Sequence, residues 1–270
     1  MTAAAALKVH LRVLEIRRAT LRVVTLRPQT PVRFSTNYFH DTWHILAGRD
    51  GAALLGRLLW GLAFQRQPGT LLLIDPLHLV PTPFEADPPD PIIVIPDGVT
   101  AVDQDALRAL RLRLRRAPGP PTTIRWHTFG MAAALERARD DRRWRDDLPH
   151  ALRSRERMAR RAGFVCFTAP PACLRDHALG IYCLHRCQGH WGGYHPLATH
   201  GAHQPWGHDG ELQVLPGFAN AVSAARVARR EVLDDDTGAL ATDDKRQAIY
   251  DHKVGATARL AAGRRGRPAR

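Results

Sequence analysis

The chain has almost no lysine: three of its 39 basic residues are Lys and the rest are Arg. Ala, Gly and Pro are abundant beside the Arg, a usage that GC-rich codons produce whatever the function. A pI of 10.8 is therefore weak evidence for a polyanion partner. Cysteine is scarce as well. Four thiols (Cys166, Cys173, Cys183, Cys187) in 270 residues cannot form a disulfide framework and leave reduced thiols or a metal site. Long apolar runs are missing. The longest, Ala52–Phe64, contains Arg57 and is too short to span a bilayer. A secretory leader is not visible either, because Met1–Leu7 lacks a basic start and Lys8 interrupts it. The expectation is a cytoplasmic protein with no membrane partner.

What is present is a soluble composition, 44% hydrophobic and 24% charged, long enough to bury a large core. Its net charge of +13 is unevenly placed. Residues 1–33 carry seven Lys/Arg against one Glu, and residues 259–270 carry five Arg and no acid. Residues 34–258 then hold 27 bases and 25 acids, a net of only +2. Location of the charge, not its total, points to a partner at the ends.

Leu7, Val9, Leu11 and Val13 alternate with Lys8, His10 and Arg12, the pattern of a half-buried strand. Leu21–Leu26 pairs with it as a basic hairpin. From about residue 43, strand-length runs (Trp43–Ala47, Thr70–Ile74, Ile92–Ile95, Thr122–Trp126, Gly163–Phe167, Leu212–Leu215) alternate with helical patterns. Those helical stretches are Ala52–Gln65, Asp103–Arg116, Met131–Arg161 with a break near Pro149, Pro171–Leu184 and Ala219–Val232. Pro76–Pro91 holds six prolines in sixteen residues, so the link between the second and third of these strands is not a crossover helix.

The fold class expected is α/β: an open, largely parallel sheet with helices on both faces, preceded by an N-terminal β-hairpin and followed by a disordered basic tail. The divisions are 1–33 (basic hairpin extension), 34–233 (core domain with a His-rich loop at 185–210) and 234–270 (linker and Arg-rich tail).

Parallel sheets bind ligands outside the carboxyl ends of their strands. Read that way, Arg49, Asp75, Asp97 and His127 each follow a strand and make an acid–base or phosphate-handling set. The turn at Gly48–Leu55 lacks both GxxxxGK[ST] and GxGxxG, which disfavours a conventional ATPase or dinucleotide enzyme. Cys183, His185, Cys187 and His190 offer thiol and imidazole at close spacing, and zinc is the metal such a set takes. No CxxC pair accompanies them. His40 and His44 match the HExxH motif only in their His positions and are expected in a loop and at the start of a strand. Mixed charges over Glu136–Asp147 read as a solvated helix face.

The tail contains Arg264-Arg265-Gly266-Arg267-Pro268. Its Arg-Gly-Arg-Pro resembles the core of the AT-hook over about eight residues. That resemblance implies an extended backbone in a narrow A·T minor groove, with guanidiniums drawn in by its negative potential. With Lys8 and Arg12 on one face at the other end, the leading expectation is a nucleic-acid-associated protein that meets DNA or another polyanion through basic termini. Two others stay open: an enzyme at the sheet's carboxyl edge, and a zinc-stabilised interaction module.

Overall fold

Alternating apolar residues over Leu7–Val13 and the apolar run Leu21–Leu26 build a hairpin, and the first sheet grows outward from it. The computed structural model describes residues 6–116, 119–140, 148–185, 193–198, 208–235 and 242–265. The strands are β1 (Ala6–Ile16), β2 (Ala19–Thr25), β3 (Phe34–Phe39), β4 (Thr42–Ala47), β5 (Thr70–Ile74), β6 (Ile92–Pro96), β7 (Thr122–His127), β8 (Arg157–Arg161), β9 (Phe164–Ala169), β10 (Gly193–Leu197) and β11 (Gly210–Val214). The helices are α1 (Arg49–Ala63), α2 (Gln104–Arg115), α3 (Met131–Asp140), α4 (His150–Arg153), α5 (Pro171–Leu184), α6 (Phe218–Asp235) and α7 (Thr242–Arg265).

The fold is α/β, with a seven-stranded sheet in the order β7-β1-β2-β5-β6-β9-β8. Parallel pairs β2–β5 and β6–β9 lie in its middle, and β1–β2, β1–β7 and β8–β9 are antiparallel. The junction of β5 with β6 is antiparallel, Leu72 opposite Val94 and Ile74 opposite Ile92. The proline-rich link explains this. With no helix to carry the chain back along the sheet, β6 starts at the end where β5 stops.

A second sheet, β10-β11-β4-β3, takes the strand that follows the first loop. β3 and β4 form a hairpin around His40 and Asp41, both at positive φ (49° and 58°). Two such residues in a row make a type I′ turn, whose twist matches that of the strands. His40 is thus a turn residue and His44 a strand residue.

Between the two sheets lies a helical layer of α1 and α5. Leu55, Leu58, Leu59 and Leu62 of α1 are fully buried there, with Val24, Leu72, Ile74 and Val94 of the first sheet and Phe34, Ile45 and Leu212 of the second. Each such leucine contributes about 1.5–3 kcal/mol on burial. α2 covers the other face of the first sheet through Leu107 and Leu110. Its start is capped by the Asp103 side chain, which accepts from Ala106 N at 2.6 Å. α6 lies on the other face of the second sheet through Phe218 and Val222, and α7 packs on α6 through Ile249 and Ala256.

Three segments differ from the sequence expectation. Arg157–Arg161, read as the end of a long helix, is edge strand β8, where only Met158 is buried and no apolar alternation betrays it. Gly193–Leu197, read as loop, is held as β10 by pairing with β11. Asp243–Arg265, read as linker and tail, is the greater part of α7, whose buried stripe is too narrow to register as an apolar face. Residues 266–270 lie outside the described residues.

The two central helices touch at Gly56. A Cβ there would stand 2.7 Å from the Ala178 carbonyl oxygen and 2.9 Å from Tyr182 Cβ, both on α5. We expect Gly56→Ala to lower stability by about 1–3 kcal/mol through forced separation of the layer, read as a lower denaturation midpoint with an unchanged slope.

Candidate nucleic-acid interface

β1 is longer than the part of β2 that α2 covers, and on its other side it carries edge strand β7. Antiparallel register sets Lys8 opposite Arg125, His10 opposite Thr123 and Ala6 opposite His127. Residues directly opposite each other share a face, as do alternate residues of one strand. Lys8, His10, Arg12, Thr123, Arg125 and His127 therefore stand on one face, the same one that carries Leu14 and Ile16 under α2. No acid of β1 or β7 falls on that face: Glu15, the only one, is of opposite parity.

Several arginines elsewhere are paired with carboxylates. Arg155 holds Asp97 at 2.7 Å, Arg160 holds Asp90 at 2.6 Å, and Arg229 and Arg246 hold Asp87 at 2.7 and 3.1 Å. Arg17 and Arg108 share Asp105, and Arg259 holds Glu231. By contrast Lys8, Arg12, Arg27 and Arg125 have no ion-pair partner among the described residues. The Nε atoms of Arg12 and Arg27 are buried and without a hydrogen-bond acceptor. A guanidinium N–H left so is costly, and an anion brought to it relieves that cost.

His10 lies among these cations. Partial burial, then the Arg12 and Arg27 guanidiniums, hold its pKa below the ordinary 6.5, with Asp75 opposing. At the far end of the strip the His127 ring stacks on Phe129, centroids 4.6 Å apart and planes 15° from parallel. Phe129 is 67% exposed. Its carbonyl accepts from Trp60 Nε1 at 2.9 Å, so α1 pins the turn that presents the ring.

The catalytic set is not assembled. Because β5 and β6 are antiparallel, Asp75 and Asp97 leave opposite ends of the sheet, about 20 Å apart by strand rise. His127 stands three strands from Asp75, about 14 Å by strand spacing. Arg49 opens α1 after β4, which belongs to the other sheet. Each acid has local work. Asp75 accepts from Leu77 N at 3.1 Å and lies 3.1 Å from His78 Nδ1, while Asp97 pairs with Arg155.

Of the zinc set, Cys183 lies in the last turn of α5 and His185 caps that helix with its Nδ1 on the Tyr182 carbonyl; Cys187 and His190 lie outside the described residues. Among the described residues no group of three or more His, Cys, Asp or Glu side chains is arranged to hold a metal. Of the tail, Arg264 and Arg265 fall in the last turn of α7, where the AT-hook likeness leads one to expect extended chain, and Gly266, Arg267 and Pro268 lie outside the described residues.

Lys8 and Arg12 are the predicted residues that the fold brings into a larger set. Arg125, Thr123 and Phe129 were missed as members of it. The alternation of Thr123, Arg125 and His127 with Ile124 and Trp126 was visible, but a pairing partner more than 100 residues away was not.

A second polar cluster is sealed in the core. His177 Nε2 lies 3.1 Å from Glu156 Oε1, and His177 Nδ1 lies 2.9 Å from His195 Nε2. The first contact is within ion-pair reach but not in hydrogen-bond alignment, and the second joins the two imidazoles through a shared proton. Cys173 lies beside Glu156, and burial followed by that carboxylate pushes its thiol up to about 12. Such a thiol stays protonated at neutral pH and is no nucleophile. Glu156 and Cys173 are wholly buried, so the cluster ties α5 to β10 and admits no substrate.

No protein family, curated protein or solved structure matches this chain. Its function has to be argued from the side chains. No helix among the described residues is long and apolar enough to cross a membrane.

Two outcomes follow from this geometry. Arg12→Ala is expected to raise the His10 titration midpoint toward 6.5, since one of the two depressing cations is gone; histidine proton NMR reads it, and a midpoint that falls contradicts the arrangement. Glu156→Gln is expected to destabilise by about 2–4 kcal/mol in chemical denaturation, because it breaks the buried ion-pair contact with His177.

Proposed function

We propose that the β7–β1 face binds the phosphodiester backbone of single-stranded nucleic acid. The observation that supports this is the set of four cations, Lys8, Arg12, Arg27 and Arg125, which have no ion pair among the described residues, stand by a face to which β1 and β7 bring no acid, and include two guanidiniums whose Nε is buried without an acceptor. Its members on β1, Lys8 and Arg12, are four residues apart, about 14 Å along the strand, and this spacing suits a backbone laid along β1. The steric argument agrees. Seven strands at about 4.8 Å make a sheet roughly 29 Å wide, and α2 stands beside the strip. Such a surface cannot enter a major groove about 12 Å wide. Unstacked bases, in contrast, can lie on the exposed ring of Phe129, as aromatic side chains at single-strand sites allow.

This reading moves the polyanion contact from the termini as such to a face built by one terminal hairpin and a distant strand. The arginine-rich tail is a separate contributor within the proposal, through its AT-hook-like residues.

Fluorescence anisotropy with a labelled strand of about 20 nucleotides, in single-stranded and duplex form, tests both parts. Lys8→Glu with Arg125→Glu is expected to weaken single-strand binding at least tenfold at low salt. The same double change is expected to flatten the plot of log affinity against log salt by about 0.7 for each phosphate that is no longer neutralised. Phe129→Ala is expected to weaken the single strand alone by about fivefold or more. Equal binding by the charge-reversed chain sinks the face. Deleting residues 259–270 is expected to lower duplex retention, and unchanged duplex retention removes the tail from the proposal.

A further inference from the structure

On the far side of the molecule a cavity of about 780 Å³ opens between the β3–β4 hairpin, the 82–90 loop and the start of α7. Tyr38 and Trp43, with ring centroids 5.0 Å apart, form its hairpin wall. Phe84 and Glu85 line it from the loop, and Asp243 and Tyr250 from α7. Tyr38 is 54% and Tyr250 45% exposed, although two phenol rings facing one space could have been buried against each other.

The charges of this cavity are mostly committed to holding it open. Asp87 is taken by Arg229 and Arg246, and Asp90 by Arg160. Those bonds fasten the 82–90 loop to α6, α7 and β8. Two lining carboxylates are held more loosely. Glu85 has no salt bridge among the described residues; burial, the largest influence on it, raises its pKa, while Lys253 and Arg246 act on it in the opposite sense. Asp243 has a 95% exposed side chain and pairs with Arg246 at 3.7 Å.

The rim already shows what these rings accept. Lys253 Nζ sits 4.4 Å from the Tyr250 ring centroid and 5.3 Å from that of Phe84, and donates to the Pro83 carbonyl at 3.2 Å. Aromatic faces attract cations through the ring quadrupole, and more strongly when the cation is partly desolvated. The chain's own ammonium is a fixed example of that interaction at the cavity's edge.

We propose that this cavity binds a small organic cation: an ammonium or guanidinium group on an apolar body. The body fills the space between Tyr38, Trp43 and Tyr250, while the charged end meets Glu85 and Asp243. The volume lies within the roughly 300–1,000 Å³ of small-molecule sites, which favours a small ligand over a folded partner. This site is independent of the nucleic-acid face, because it is built on the second sheet and shares no residue with β1 or β7.

The test uses benzylammonium as the probe and benzyl alcohol as its neutral isostere, by isothermal titration calorimetry and tryptophan fluorescence on the full chain. Saturable one-site binding of benzylammonium is expected, with benzyl alcohol at least about tenfold weaker. Trp43→Phe is expected to remove the fluorescence change. Asp243→Asn, at an exposed position that leaves the fold intact, is expected to weaken benzylammonium about threefold, and together with Glu85→Gln about tenfold. The proposal is overturned by equal affinity for the alcohol, by absence of saturable binding, or by an unchanged affinity in Asp243→Asn with the melting temperature retained.

Discussion

Everything in this molecule hangs on the contact between α1 and α5. The two helices form a layer with a sheet on either side, so one seam has to satisfy two apolar surfaces at once. Gly56 lets the backbones approach to a distance that no side chain permits, and Gly61 leaves room for the Trp126 indole, which donates to the Leu58 carbonyl at 3.2 Å. That indole belongs to β7. The same seam that joins the sheets therefore fixes the edge strand bearing Arg125 and His127, and through Trp60 the turn bearing Phe129.

Charge is distributed in two regimes. Over α2, α6, α7 and the loops around the cavity, arginines find carboxylates, and the pairs tie segments together at modest gain where they are exposed. Along β1 and β7 the cations stand beside one another. Like charges on a shared face repel, and after burial the Arg12 and Arg27 guanidiniums hold the His10 pKa down. The cavity differs, with two loosely held carboxylates beside aromatic rings. The two surfaces carry opposite signs on different sheets, so one need not interfere with the other.

Much of the architecture was legible. The hairpin, most of the strands and helices and the non-helical proline link could be read because each rests on local periodicity or on the missing N–H of proline. Edge strand β8, β10 and α7 could not. Arg157–Arg161 is strand only because β9 offers it a ladder, and α7 is placed by a few Ile and Ala contacts with α6 that are too sparse to mark a face. The proposed catalytic edge assumed one sheet of strands running the same way, whereas β5 and β6 are antiparallel, β4 belongs to the other sheet and β7 stands three strands from β5.

By itself the sequence determined what each strand exposes. The parity of Lys8, His10 and Arg12 puts them on one face whatever they pair with, since the side-chain period of a strand is two. It also settled that Pro76–Pro91 cannot carry a crossover helix. Only the tertiary structure decided which strand lies beside β1, and thus that Arg125 stands opposite Lys8 on a face to which neither strand brings an acid. Pairing register depends on where distant segments meet as the core closes, and no local pattern encodes that.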